Sequence, residues 1–211
     1  LKPISSLVGA VLAATLLCAP VTAVQQPATG LLNPDAIKLT APEKYTVLLD
    51  TTVGTIVIAV TRAWAPLGAD RFYTLVKHGF YDGNRFFRVV PKFMAQFGLH
   101  GDPAVSAVWK DQTMASDRAR VSNTRGRVTF AQGALASSRT TQVFINFGDN
   151  SRLDIDNFAP FGEVTSSMIL AERVFSDYGE GPDQGRIIRE GNAFLIGAFP
   201  RLSYIRKATI E

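Results

Sequence analysis

Phe86-Phe87-Arg88-Val89-Val90-Pro91-Lys92-Phe93-Met94-Ala95-Gln96-Phe97-Gly98 is the stretch from which the rest of the 211-residue chain is read. Its first five residues are aromatic or β-branched apart from Arg88, which favours a strand. Pro91 closes that strand because it has no N–H to give a ladder, and residues 94–98 can resume as a second extended segment. One guanidinium, one thioether, one primary amide and several phenyl rings are thereby brought close together in the chain. Most of them suit an ordinary core. Arg88 does not, because an always-charged side chain in an apolar run needs a partner. Residue types alone leave two readings open, an internal ion pair or a cation that faces a polar ligand.

Upstream, residues 45–50 and 55–60 are two β-rich runs joined by Thr51-Thr52-Val53-Gly54, a hairpin in which Gly54 is free to take positive φ. Pro66 opens a predicted helix with Leu67, Phe72, Leu75 and Val76 on one face, and Gly79 ends it. Tyr81-Asp82-Gly83-Asn84 then turns the chain into the first quoted strand. Downstream, residues 99–122 are polar, contain Gly101-Asp102-Pro103 and form an excursion longer than loops usually are without a purpose. The chain returns through Arg127-Val128-Thr129-Phe130-Ala131, a small-residue segment at 132–138, and Thr141-Gln142-Val143-Phe144-Ile145-Asn146. Leu153-Asp154 and Phe158-Ala159-Pro160-Phe161-Gly162-Glu163-Val164 follow. Ser166 or Ser167 can cap a second helix reaching about Phe175, with Met168, Ala171, Val174 and Phe175 on one side. Residues 179–184 form a turn-rich loop, and 192–199 and 202–210 are apolar-rich runs, the last a closing strand. There is no internal repeat and no low-complexity block.

The quoted stretch resembles the signature of the cyclophilin family, in which Phe-His-Arg-Val-Ile-Pro is followed by Gly-Phe-Met and a Gln-Gly. Arg88, Phe93, Met94 and Gln96 fall on the family's arginine, phenylalanine, methionine and glutamine without a gap. Phe87 replaces its usual histidine, Lys92 a glycine, and Phe97 the glycine after the glutamine. The resemblance continues in Phe130-Ala131, which matches a Met-Ala, and in Phe144, on the second phenylalanine of a Ser-Gln-Phe-Phe-Ile strand. Leu153 and Asp154 match a Trp-Leu-Asp, with Arg152 in the place of the tryptophan, and Phe158 stands where many members have histidine. The segment at 132–140 departs, with one residue more than the common form and no Gly-Pro-Asn.

The N-terminus reads as an export leader. Lys2 is followed by an apolar run over residues 7–19, Pro20, and the small residues of Val21-Thr22-Ala23. The run is shorter than the ~20 residues that span a bilayer, so no stable membrane insertion is expected once the leader is cleaved. Bulky Leu17 before Cys18 argues against lipoprotein processing. The expected domains are a signal peptide at 1–23, a linker or N-terminal extension at 24–43, and an isomerase domain at 44–211. Removing 23 of the 211 residues leaves 188, enough for one domain with a sizeable core. The single cysteine goes with the leader, so no internal disulfide is available in a periplasmic or secreted location. Losing Lys2 takes the net charge from +4 to +3, a mildly basic surface that does not point to nucleic acid. His78 and His100 read as solvated loop residues, and no zinc cluster, Walker loop or dinucleotide fingerprint is present.

No Ser/His/Asp order, reactive cysteine or carboxylate pair accompanies the quoted stretch. One cation, one amide and a ring of apolar side chains suit a reaction with no proton transfer and no covalent intermediate. Rotation about an X-Pro bond is such a reaction, with a barrier of roughly 18–20 kcal/mol from amide resonance. The resemblance implies that activity, on proline-containing polypeptides, with no metal or organic cofactor. It implies Arg88 and Gln96 as catalytic residues, and Phe93, Met94, Ala131, Gln132, Phe144, Leu153 and Phe158 as substrate-binding ones. It also implies a mainly β fold, a closed eight-stranded antiparallel barrel capped by two helices. A monomer is expected, with weak cyclosporin binding because Arg152 replaces the tryptophan. The alternatives are a non-catalytic module that binds proline-containing segments, and a structural barrel whose site has decayed. An intact Arg88 favours the enzyme.

Overall fold

A computed structural model describes residues 30–166 and 168–211. The expected leader at 1–23, residues 24–29 of the expected linker, and Ser167 lie outside the described residues. The first two strands, β1 (Lys44–Thr51) and β2 (Gly54–Thr61), form the hairpin expected from their alternation, in register from Lys44↔Thr61 to Thr51↔Gly54. Gly54 has φ 119°, which lets the chain return after only Thr52 and Val53. Helix α1 (Pro66–Lys77) begins on its proline and buries Phe72, Leu75 and Val76. Leu67, expected on that face, is exposed. Five residues separate it from Phe72, about 140° around a helix.

The quoted stretch becomes β3 (Arg88–Val90), a turn at Pro91–Phe93, and β4 (Met94–Phe97). Lys92 takes φ 65° in that turn, the conformation a glycine adopts without strain. After α2 (Pro103–Trp109) come β5 (Arg127–Phe130), β6 (Val143–Asn146), β7 (Pro160–Val164), α3 (Met168–Ala171), α4 (Gln184–Ala198) and β8 (Ile205–Ile210). One antiparallel sheet runs β3-β4-β6-β5-β7-β2-β1-β8. Its inner face packs Val47, Ile58, Phe97, Val128, Ile145 and Phe161 into the main core. Two helices, α1 and α3, cap the sheet, whereas α2 and α4 pack on each other beside it.

The expected closed barrel is not what forms. The sheet is an open half-barrel whose end strands, β3 and β8, share no ladder. Arg85 and Tyr204 make one isolated bridge, and the Phe86 N–H reaches the Ser203 carbonyl at 3.0 Å. Beyond that point the Val89 N–H donates to the Gly179 carbonyl, also at 3.0 Å. The loop that precedes α4 therefore occupies the edge of β3 that β8 would need.

Three further expectations are corrected. The polar excursion is not featureless, since Asp102 caps α2 by accepting from the Ala104 N–H at 2.8 Å. Its later part sends Asp117 to the start of α1, where the carboxylate accepts from the N–H groups of Leu67 (3.1 Å) and Gly68 (2.9 Å). The helix expected to reach Phe175 is a single turn, α3, and Ser166 Oγ accepts from the Val57 N–H. The histidines are not solvated loop residues. His78 caps α1 with Nδ1 2.8 Å from the Thr74 carbonyl, and His100 is half-buried with its ring 5.2 Å from Phe80.

The apolar run at 192–199 belongs to α4, which lays Ile187, Phe194 and Leu195 on Phe87, Leu99 and Leu202 as a second small core. The described part of the segment before β1 is packed as well. Leu31, Ile37 and Ala41 are buried, and the Trp109 indole N–H donates to the Leu31 carbonyl at 2.8 Å.

Candidate active site

Strand pairing assembles the site. Arg88 stands opposite Gln96, and Gln96 opposite Phe144, so the three form a row across β3, β4 and β6. Directly opposed residues share a face, and alternation then places Met94 beside Gln96 on that face. The intervening Val89, Ala95, Phe97, Val143 and Ile145 point the other way, into the core. The row therefore lies on the outer surface of the sheet.

A groove of about 410 Å³ covers that row. Arg88 and Gln96 line it, together with the apolar side chains of Phe93, Met94, Phe144, Leu153 and Phe158. Ala131 and Gln132 complete the set, so all nine residues singled out from the sequence meet at one place. Phe144 and Phe158 are in edge contact, with ring centroids 6.0 Å apart. Gln132 is tied to the opposite wall, because its Nε2 donates to the Asp156 carbonyl at 2.7 Å. Its Oε1 is buried without a hydrogen-bond partner among the described residues.

Arg88 is half-buried, and its head is held on two sides. Nη1 donates to Gln96 Oε1 at 3.1 Å, and Nε donates to Glu180 Oε1 at 2.5 Å, with Nη2 also against that oxygen. Gln96 passes the connection on, its Nε2 donating to Gln142 Oε1 at 2.7 Å. Phe93 lies under two guanidinium groups, with Arg88 5.8 Å and Arg152 4.9 Å from its ring centre.

The residues that hold the walls are mostly ones the sequence did not single out. Asn123 is fully buried and donates through Nδ2 to Asp154 Oδ1 (2.7 Å) and to the Phe158 carbonyl (2.6 Å). Asn150 donates to the Phe93 carbonyl (2.8 Å) and to Asn146 Oδ1 (2.7 Å), while its own carbonyl accepts the Leu153 N–H at 2.8 Å. Three wall residues thus hang on one buried amide network. The segment at 132–140 is fastened separately, through fully buried Arg139, which pairs with Asp117 at 3.4 Å. Gln142, Thr140 and Glu180 also escaped the sequence reading. The only signal for them was nearness in sequence to Phe144 or to the turn-rich loop.

The groove thus offers guanidinium and amide donors beside an apolar surface. Its lining contains no nucleophile paired with a base. Among the described residues, no group of three or more His, Cys, Asp or Glu could hold a metal ion, and no helix is long and apolar enough to cross a membrane.

Comparison with known proteins follows this geometry. The family described as cyclophilin type peptidyl-prolyl cis-trans isomerase/CLD matches residues 46–189. Peptidyl-prolyl cis-trans isomerase A of Dickeya dadantii is 35% identical over 133 residues, covering 61% of this chain and 70% of that protein. A peptidyl-prolyl cis-trans isomerase of Acinetobacter baylyi is 32% identical over 134 residues, 60% of this chain and 69% of that one. Among solved structures, a cyclophilin type isomerase from Cryptosporidium parvum superposes with a TM-score of 0.61 at 17% identity, over 80% of this chain and 98% of its own.

Proposed function

The chain belongs to the cyclophilin-type peptidyl-prolyl cis-trans isomerases, and from that membership we propose how its groove assists rotation about an X-Pro bond. The bond's resistance to rotation is amide resonance, which is lost at the twisted transition state. There the proline nitrogen becomes pyramidal and its lone pair localises. A guanidinium N–H beside it then gains an acceptor that the planar ground state scarcely offers, which is preferential binding of the transition state.

The observation that carries this reading is the donor count at Arg88. A guanidinium has five N–H bonds. Nε, one on Nη1 and one on Nη2 are directed to Gln96 and Glu180. Two are left for a substrate, next to the apolar pocket of Phe93, Met94, Phe144, Leu153 and Phe158 that suits a pyrrolidine ring. Gln96 keeps one Nε2 hydrogen for the substrate carbonyl. An acceleration of ~10⁵ corresponds to roughly 7 kcal/mol, within reach of charge-assisted hydrogen bonds in a water-poor groove.

The test is a protease-coupled isomerisation assay on a short X-Pro peptide. Arg88→Ala should lose most of the activity with an unchanged circular dichroism spectrum. Arg88→Lys should also be poor, because a point charge on a flexible stem cannot reproduce the planar fork. Near wild-type turnover in either variant would overturn the assignment.

The clients are proline-containing segments of exported proteins, and one chain supplies the groove residues, so no partner subunit is needed to complete it. Export rests on Lys2, the apolar run at 7–19 and the small residues before position 24. N-terminal sequencing of the protein from cell envelope and medium fractions checks it. A product that keeps Lys2 would refute the leader.

A further inference from the structure

We infer that Glu180 is a positioning residue for Arg88, an inference that rests on the role given to Arg88 above. The two residues are far apart in sequence, on β3 and in the turn-rich loop ahead of α4. The loop is braced on both sides of Glu180. The Gly179 carbonyl accepts from the Val89 N–H at 3.0 Å, immediately beside Arg88 on β3, and the Gly181 N–H returns to the Tyr178 carbonyl at 2.8 Å. Tyr178 is wedged between Phe175 and Phe199, with ring centroids 4.9 Å and 5.1 Å away. Asp183 then caps α4, accepting from the Arg186 N–H at 2.6 Å. The carboxylate is thus delivered by backbone that is itself pinned to the strand carrying the cation.

Glu180 Oε1 sits astride the Nε–Nη2 edge of Arg88, and Gln96 Oε1 takes Nη1 from the other side. Contacts on two edges fix a planar group about every rotatable bond of its stem. The Glu180 side chain is 62% exposed, so the pair is screened by water and adds little to stability. What it does is orient. With Glu180 removed, the guanidinium keeps only the Gln96 hydrogen bond and its place over Phe93, and its free N–H bonds spend less time aimed at the proline nitrogen. A displacement of this kind weakens catalysis without unfolding the protein.

The experiment measures kcat/KM for the wild type, Glu180→Ala, Glu180→Gln, Arg88→Ala and the Arg88→Ala/Glu180→Ala double variant on one X-Pro peptide. Melting temperatures serve as the control for folding. Glu180→Ala should lose about 10-fold in kcat/KM with a melting temperature near that of the wild type. Glu180→Gln should lie between the two, because its amide oxygen still accepts from the fork without the charge. The double variant should be no worse than Arg88→Ala alone, since a positioning residue has nothing to do once its cation is gone. Wild-type activity in Glu180→Ala overturns the inference, and so does a faster variant, which would make the carboxylate a brake. A further loss in the double variant overturns it too, by showing a role independent of Arg88. An inactive Arg88→Ala beside an unimpaired Glu180→Ala removes this inference alone, whereas an active Arg88→Ala removes the reading beneath it.

Discussion

At the scale of one residue, Arg152 is expected to set a ligand preference separately from the reaction. Its exposed guanidinium lies 4.9 Å from the centre of the Phe93 ring, a groove residue, and donates to Asn150 Oδ1 at 3.3 Å. Cyclosporin-sensitive members of the family carry tryptophan here, whose indole N–H and flat face meet the apolar cyclic peptide. Burying a guanidinium under such a ligand strips water from the charge. Losing one aromatic contact and one hydrogen bond should weaken binding by about 2–3 kcal/mol, roughly 30- to 150-fold. Calorimetric titration of cyclosporin into the wild type and Arg152→Trp checks this, with tighter binding expected only in the variant. Nanomolar binding by the wild type, or no gain from the tryptophan, would contradict it. At this scale the sequence was most legible. Arg88, Phe93, Met94 and Gln96 are close neighbours in the chain, so the resemblance to the family signature could name all four from one short stretch. Glu180 and Asn123 were not legible, because each meets its partner only through the folded chain.

Among the elements, α4 was the hardest to foresee. It contains Gly185, Gly191 and Gly197, and each glycine counts against a helix by about 1 kcal/mol relative to alanine. What holds it is the local Asp183 cap and, through the folded chain, the seat on Phe87, Leu99 and Leu202. Gly191 breaks the helix at φ 61° and ψ −148°, and its neighbour's N–H reaches the Gly101 carbonyl at 2.9 Å. A Cβ at Gly191 would overlap that carbonyl, in a backbone region that only glycine occupies readily. Gly191→Ala should therefore cost about 2–4 kcal/mol, read as a lower urea midpoint, and expose the second small core. An unchanged midpoint would mean that α4 is not docked as described. By contrast, α2 carried a usable signal. Asp102-Pro103, noted only as part of the polar excursion, is the cap and first residue of a helix, and a seven-residue element without a long apolar period offers little else.

For the molecule as a whole, stability and turnover should respond differently to acid. Burial holds the His100 imidazole below its usual value of 6.5, against the smaller opposing effect of Asp102. A histidine whose folded pKa is depressed is protonated more readily in the unfolded chain. Stability is then full above pH 6.5 and declines as pH falls below it. No residue lining the groove is a histidine, lysine, cysteine or tyrosine, so turnover should stay flat between about pH 6 and 9. Thermal midpoints from about pH 5 to 9, with His100→Asn as the variant that loses the acid slope, separate the two effects. A bell-shaped rate profile would reveal an acid or base outside the named residues. The same scale explains the main misreading of the fold. The resemblance implied eight strands and their closure together, but closure depends on which segment lies against β3, and Gly179 is 90 residues beyond Val89. That open end also bears on clients. A hooped cask cannot shift one stave without straining all the others, whereas a half-barrel can move its last stave alone. The strand that carries Arg88 is that last stave, three residues long and held on its free side at Val89 by a backbone bond worth about 1 kcal/mol. The groove should therefore widen at its cationic wall at the expense of the β3–β4 ladder alone, and kcat/KM for peptides with Gly or Trp before the proline should differ little.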